Sequence, residues 1–555
     1  MSRRAILLAG LILILWATLV FVTGGVAGTV LGIRVSLHSG VRPLALAAIL
    51  FGVGVFLHGW RAFDADADWL ARWASRLAAP TAAAVAIVVL CVGLRYDTKS
   101  AGGSDPYGYV SEADLWLNLH LRVAQPFVSE LPIPFADRAF APLGYAPVGD
   151  DHVIVPTYPP GLPLLMALAK LTAGRAGLFA VVPILGATAI WLCYLLGARV
   201  ASPVVGAVAA IALAASPAFL FMLMQPMSDI PAAAFWTAAI LFTLGSKRFS
   251  APLAGACCAA AIVIRPNLAP LAAIPFGYLL WTRGGWRTFA LAVVPGAALV
   301  AAFNAHLYGS PLASGYGEVH SLYAWRNASI NLRQYSGWLL DTQTPIVFAS
   351  LAALLWTRPR RIPVLFVLFI GGVFSAYLFY APFDAWWYLR FLLPMFPLLL
   401  ILTAAGAVAV TARIPRLLQV LAWTIVPVLV LGYQIDYAVS RGVFAQREAE
   451  RRYEIVGHYV AASTPANAVL LSMQHSGSLR YYGHRTTLRY DSIAPESLDS
   501  TIALLREKGY RPFIVLDEWE VPVFRGRFAL SETGRLAWAP MADFSTVRVY
   551  EPPPR

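Results

Sequence analysis

The chain has 555 residues, of which 59% are hydrophobic and 13% charged, with a mean hydropathy of +0.66. Soluble domains carry roughly 25% charged residues, so this composition excludes an ordinary water-soluble enzyme and points to a polytopic membrane protein. The net charge of +13 does not signal nucleic-acid binding: much of the basic excess lies in short links between apolar segments, and no compact basic stripe with interleaved aromatics occurs.

Met1-Ser2-Arg3-Arg4 precedes an apolar run at 5–31 that lacks a convincing cleavage site, so it is expected to be an uncleaved first span. Further runs of spanning length occur at 43–60 and 77–95. Residues 96–160 are then polar, a stretch longer than a simple turn between spans requires, and long loops of this kind are more often functional. It carries Gly103-Ser104-Asp105-Pro106-Tyr107-Gly108-Tyr109 near its start and closes on Tyr158-Pro159-Pro160-Gly161-Leu162-Pro163. The proline-rich segment 159–171 is short and ends near Lys170 and Arg175, which suits an interfacial helix.

Apolar runs resume at 177–198, 203–224, 228–246, 251–282, 286–308, 344–357, 362–382, 387–410 and 417–439. The 251–282 run is too long for one span and contains Arg265-Pro266-Asn267; proline lacks an amide donor, which predicts two short helices there. The expectation is a polytopic α-helical membrane protein of about thirteen spans.

Charge sets the orientation. With Arg3 and Arg4 cytoplasmic, the cytoplasmic links contain Arg61, Arg72 and Arg76; Arg199; Lys247 and Arg248; Arg283 and Arg287; Arg358, Arg360 and Arg361; and Arg413 and Arg416. The opposite links at 225–228 and 381–386 have no lysine or arginine. This places 96–160, 309–344 and everything after about residue 440 outside the cytoplasm, in the cell or inner membrane. In the tail, 446–458 and 497–508 read as helices and 468–473 and 512–517 as strands, the pattern of a small extracytoplasmic α/β domain. It has no glycine-rich phosphate loop and no nucleophile elbow, which favours an accessory role. The domain reading is therefore a three-span extension (1–95), a large loop with interfacial helices (96–176), a transmembrane core (177–439) and the tail domain (440–555).

Ionisable groups at the ends of spans are costly and therefore informative. Asp105 reads either as a turn former or helix cap, or as a carboxylate beside an aromatic wall that takes a proton from a nucleophile. Asp229, in Gln225-Pro226-Met227-Ser228-Asp229-Ile230-Pro231, is a helix cap or a second acid facing the same cavity. Arg390, early in a span, is an interface anchor or a guanidinium that grips a lipid phosphate. Arg265 either satisfies helix carbonyls freed by Pro266 or joins it. The four cysteines, Cys91, Cys193, Cys257 and Cys258, all lie in apolar segments, so neither a disulfide framework nor a zinc cluster is expected. His152 and His475 are isolated, and the alternating Asp64, Asp66 and Asp68 fall on the cytoplasmic side with no surrounding catalytic domain.

Over about residues 96–555, these motifs resemble the GT-C superfamily of membrane glycosyltransferases, in particular its protein O-mannosyltransferase and aminoarabinose-transferase branch. The matching elements are Asp105 with Tyr107 and Tyr109, then Tyr158-Pro159-Pro160, Ser228-Asp229-Ile230-Pro231, Asn304-Ala305-His306-Leu307-Tyr308-Gly309-Ser310-Pro311, and Arg390-Phe391 with Pro394 and Pro397. The chain departs in placing its first large loop after the third span and in having Asp105-Pro106 where O-mannosyltransferases have an Asp-Glu pair. It also has Thr157 and Tyr158 where some members carry basic residues. The resemblance implies inverting transfer of a sugar from a polyprenyl-phosphate donor to a glycan, lipid or protein acceptor on the extracytoplasmic face. The implied catalytic residues are Asp105, as general base, and Asp229, which orients donor or acceptor; Tyr107, Tyr109, Tyr158, Arg265 and Arg390 are the implied substrate-binding residues. This reading names no certain cofactor and leaves a divalent cation open. The competing classes are a lipid flippase or transporter without chemistry and a ligase or polymerase acting on polyprenyl-diphosphate glycans.

Overall fold

The computed structural model describes residues 3–23, 26–30, 33–37, 40–317, 319–356 and 360–554; Arg358 and the side chains of Arg61 and Asp64 lie outside the described residues. Among these residues, eight helices are long and apolar enough to cross a membrane, or up to ten if each of two bent pairs is one span. That is fewer than the expected thirteen or so, and the difference lies where expected spans are short or broken.

The first run yields the helix Arg3–Thr23 and then an antiparallel hairpin, Val26–Val30 with Ile33–Leu37, where Gly24-Gly25 and β-branched residues lower helix propensity. Pro203–Ala215 and Pro217–Leu223 meet at a 63° bend. Asp229–Thr243 and Ser250–Ile264 have only 15 residues each. The expected break at Arg265-Pro266 is present: Ser250–Ile264 ends there, and a 3-10 turn, Pro266–Ala272, leads into Ala273–Trp281. The 40-residue helix Gly161–Val200 leaves helical geometry at Ala173 and Gly174, where Gly174 has φ +60°, so a short helix precedes the span as expected for 159–171.

Close packing holds the helices together. A Cβ on Gly406 would lie 1.7 Å from the Ala349 carbonyl oxygen, so Phe396–Thr411 and Ala349–Trp356 touch backbone to side of helix. The acidic run on the third helix, Trp60–Tyr96, is used as a tie. Arg3 Nε donates to the buried Asp66 at 2.5 Å, and Arg416 lies 3.9 Å from Asp68.

The polar segment after Tyr96 is more ordered than a loop. It contains the helix Asp105–Leu117 and a three-stranded antiparallel sheet in which Val153–Pro156 pairs with both Val123–Ala124 and Tyr145–Val148. The tail begins with the helix Gln446–Ser463 and builds a five-stranded sheet. Ala468–Leu471 runs parallel to Thr486–Leu488 and Arg511–Asp517, and Val547–Tyr550 runs antiparallel to the latter. Helix Leu498–Glu507 lies between two of these strands in sequence, giving the expected α/β alternation. The two regions do not have separate interiors. Val128, Leu131, Ile133 and Phe140 of the polar segment share one apolar cluster with Val469, Leu471, Leu488 and Ile514 of the tail. Arg480, half-buried in the tail, donates to the Phe140 carbonyl and to Gln125 Oε1 (2.9 Å), and the Arg489 amide donates to the Ala139 carbonyl at 2.7 Å.

Candidate active site

Pro106 in the first turn starts the helix at Asp105, because its fixed φ suits that position and its missing donor is not needed there. Ser104 makes no side-chain cap, and the Asp105 carboxylate turns elsewhere. Its Oδ2 accepts from Arg390 Nη2 at 2.9 Å and its Oδ1 from the Tyr158 hydroxyl at 2.6 Å. With its proton given to Asp105, Tyr158 Oη in turn accepts from Ser104 Oγ at 2.8 Å. Burial pushes the Tyr158 phenol well above its usual value, and the neighbouring Asp105 charge adds to this, so Tyr158 is a fixed donor.

A second ion pair lies alongside. Asp229 opens the helix Asp229–Thr243, again without a cap from the preceding serine, and its Oδ1 accepts from Arg265 Nη2 at 2.7 Å. Arg265 Nε donates to Ser228 Oγ at 3.1 Å, Tyr109 Oη donates to the same oxygen at 2.9 Å, and Arg265 Nη1 donates to Tyr377 Oη at 3.2 Å. Arg265 is therefore held by a spread of partners rather than by the carbonyls freed at Pro266. Both guanidinium groups pack on Phe391, Arg390 at 5.1 Å and Arg265 at 5.7 Å from the ring centroid, and Tyr377 stacks on that ring at 4.9 Å.

These pairs border a cavity of about 920 Å³ lined by Asp105, Tyr109, Tyr158, Arg265 and Arg390. Asp105 keeps 28% side-chain exposure whereas Arg390 has 12%, so the carboxylate is the more accessible partner. Two expected site residues stand elsewhere. Asp229 has no exposed side chain and does not line the cavity; it lies behind Arg265 as counter-ion, which corrects its placement as a second acid facing the same cavity. Tyr107 is also absent from the lining, because it stands two residues from Asp105 and from Tyr109, a rotation of about 200° along a helix, so it faces the opposite side, where it packs on Tyr145 and beneath Gly477.

The cavity also has walls that sequence reasoning missed. Tyr316, Tyr323 and Tyr380 line it, from segments with no motif to mark them. Asn267 Nδ2 donates to Tyr377 Oη at 3.0 Å, and its place beside Arg265-Pro266 was a signal available in the sequence. The tail contributes Glu450, Arg452, Tyr453 and Gln474. The Tyr453 ring packs against Gly102, where an added Cβ would fall 2.1 Å from it. Arg452 is already engaged, at 3.3 Å from Asp517 and 3.5 Å from Glu450, and it donates to Tyr453 Oη at 3.1 Å. His475 is buried against Asp517 (3.1 Å), and His152 pairs with Asp137 (2.7 Å). Among the described residues no group of three or more His, Cys, Asp or Glu side chains is placed to hold a metal ion.

No protein-family model matches the chain, and no curated protein matches it in sequence. Solved structures do. ArnT from Cupriavidus metallidurans bound to undecaprenyl phosphate superposes with a TM-score of 0.55 at 13% identity, covering 84% of this chain and 96% of that one. The apo state of the same ArnT gives 0.54 at 15% identity with the same coverage. At this identity the likeness shows a shared fold.

Proposed function

On the premise of this GT-C fold, we propose that the chain is an integral-membrane glycosyltransferase that moves a sugar from a polyprenyl-phosphate donor to an acceptor hydroxyl or amine, with inversion. The observation that carries the reading is the meeting, in one cavity, of a partly exposed carboxylate, Asp105, and two guanidinium groups, Arg390 and Arg265. A lipid phosphate is a dianionic, multi-oxygen leaving group, and paired guanidinium groups are suited to it. The likeness to ArnT, an aminoarabinose transferase whose structure holds undecaprenyl phosphate, supports this donor class.

In the proposed reaction the acceptor's proton passes to Asp105 as the acceptor oxygen or nitrogen bonds to the sugar's anomeric carbon. The bond from that carbon to the phosphate oxygen breaks, its electron pair leaves with the lipid phosphate, and Arg390 and Arg265 neutralise it. One displacement inverts the configuration. Tyr158 orients the carboxylate, and Asp229 orients Arg265. The active face is proposed to be extracytoplasmic, because links 225–228 and 381–386, which lack basic residues, supply Gln225, Met227, Ser228 and Phe383 to the cavity. On the same charge pattern the N-terminus is cytoplasmic, and the tail shares the side of the cavity.

The test is sugar transfer by the purified protein from polyprenyl-phosphate sugars into cell-envelope extract. Asp105→Asn is expected to lower turnover by about 10²- to 10⁴-fold, the usual worth of a general base; undiminished transfer would remove Asp105 from that role. Wild-type protein that moves lipid across vesicles without forming product would replace the enzyme by a flippase. A requirement for diphosphate donors would replace it by a ligase.

A further inference from the structure

Resting on that reading, we propose that Asp105 and the donor's phosphate compete for Arg390, so that the donor binds first and its arrival frees the base for the acceptor. Arg390 Nη2 sits on Asp105 Oδ2 at 2.9 Å, while Tyr158 holds Oδ1 at 2.6 Å. An acceptor hydroxyl reaching for Oδ2 meets Arg390 already there. The same group that neutralises the leaving phosphate thus guards the carboxylate that starts the reaction.

The hydrogen bonding of Arg390 shows why phosphate wins the exchange. A guanidinium has five N–H donors in a planar fork. In Arg390, Nη1 reaches Met227 Sδ at 3.1 Å, a weak acceptor, and Nε is buried with no hydrogen-bond partner. Asp105 satisfies only the Nη2 side of the fork. The donor's phosphate is a diester with two non-bridging oxygens, which satisfy Nε and an Nη nitrogen together, a pairing that the end-on carboxylate, with its other oxygen held by Tyr158, does not make. Arg265 stands on the same Phe391 ring with its own counter-ion, Asp229, behind it rather than in the cavity. Its charge therefore adds to the pull on the phosphate without guarding the base. The arrangement also suppresses acceptor deprotonation when no donor is present.

The experiment measures binding of undecaprenyl phosphate to the purified full-length protein in detergent. If Asp105 competes, Asp105→Asn and Asp105→Ala each bind the lipid about fivefold or more tightly than wild type, the lower end of typical coupling between two equilibria. That gain disappears in an Arg390→Gln background, because there is no guanidinium left to release. Melting temperatures verify that each variant is folded. Equal or weaker binding by both Asp105 variants overturns the proposal. So does a gain that persists without Arg390, which would mean simple repulsion between Asp105 and phosphate. If Arg390→Gln alone leaves the affinity unchanged, the phosphate-site reading falls along with the competition. If Arg390→Gln weakens binding but the Asp105 variants do not tighten it, only the competition falls.

Discussion

Asp229 and Asp105 are both acids at the first position of a helix after a serine, yet they end in opposite roles. Asp105 meets its arginine from across the fold and stays 28% exposed; Asp229 meets Arg265 with no exposure of its own. A buried charge that loses its counter-ion is costly, on the order of 3–5 kcal/mol, because the partner left behind remains desolvated. Arg265 and Arg390 are equally enclosed, so the substitutions decide the outcome. Asp229→Ala strips Arg265 of its acceptor and is expected to lower the melting temperature sharply as well as activity, whereas Asp105→Asn leaves Arg390 an amide oxygen and lowers activity with a smaller loss of stability. Adding Arg265→Gln to Asp229→Ala should recover stability without recovering activity. Thermal melts and transfer assays on the three variants check this; a stable Asp229→Ala protein would show that Arg265 finds another partner. Asp105 and Arg390 were visible in the sequence because polar residues are conspicuous beside apolar runs. Which acid faces the cavity was not, since both readings share the same local pattern.

Asp105 and Arg265 stand at helix ends that border the cavity, and a further acid stands at a helix end nearby in the chain. Helix Trp60–Tyr96 delivers the chain to the polar segment through Asp97, which is 2% exposed. Its Oδ1 accepts from the Lys99 amide at 3.3 Å and its Oδ2 has no hydrogen-bond partner. Burial, opposed by the Lys99 contact, pushes the Asp97 carboxyl up to about 7 from its ordinary 3.8. The folded protein thus holds a proton that the unfolded chain releases at lower pH. The stability tied to this group is complete below 3.8 and is lost as pH rises through about 7. Asp97→Asn, which cannot ionise, should gain in melting temperature relative to wild type between pH 5 and pH 8. A difference that stays constant across that range would contradict the buried protonated carboxyl. Among the elements themselves, the break at Arg265-Pro266 and the short helix before Gly174 follow from local chemistry and were legible. The hairpin after Thr23 and the 3-10 stretch Trp386–Met395 were not, because an apolar run looks alike in helix, strand or turn.

Across the whole molecule, the polar segment and the tail behave as one body. Phe140 is fully buried in the cluster they share, and the tail supplies Tyr453 and Gln474 to a cavity whose Asp105 belongs to the polar segment. Phe140→Ala is expected to cost about 3–5 kcal/mol, as for other large-to-small changes in a core. Hydrogen exchange should speed up both in Val153–Pro156 and in Arg511–Asp517, with sugar transfer falling too; exchange confined to the polar segment would mean that the tail folds independently. The tail is then a wall of the cavity as well as an appendage, a role that its own pattern of strands and helices did not reveal.

The sequence by itself determined what depends on residues close in the chain: apolar runs, proline breaks, the α/β alternation of the tail, which links between apolar runs carry basic residues, and the candidates Asp105, Tyr158, Arg265 and Arg390. Only the tertiary structure decided what depends on distant residues. It paired Asp105 with Arg390, 285 positions away, put Asp229 behind Arg265, turned Tyr107 from the cavity and joined residues 128–140 to the tail in one core. The physical reason is that hydropathy and helix propensity act over a few residues. The partner of a buried charge is set by which helix ends the packing of the whole chain brings together.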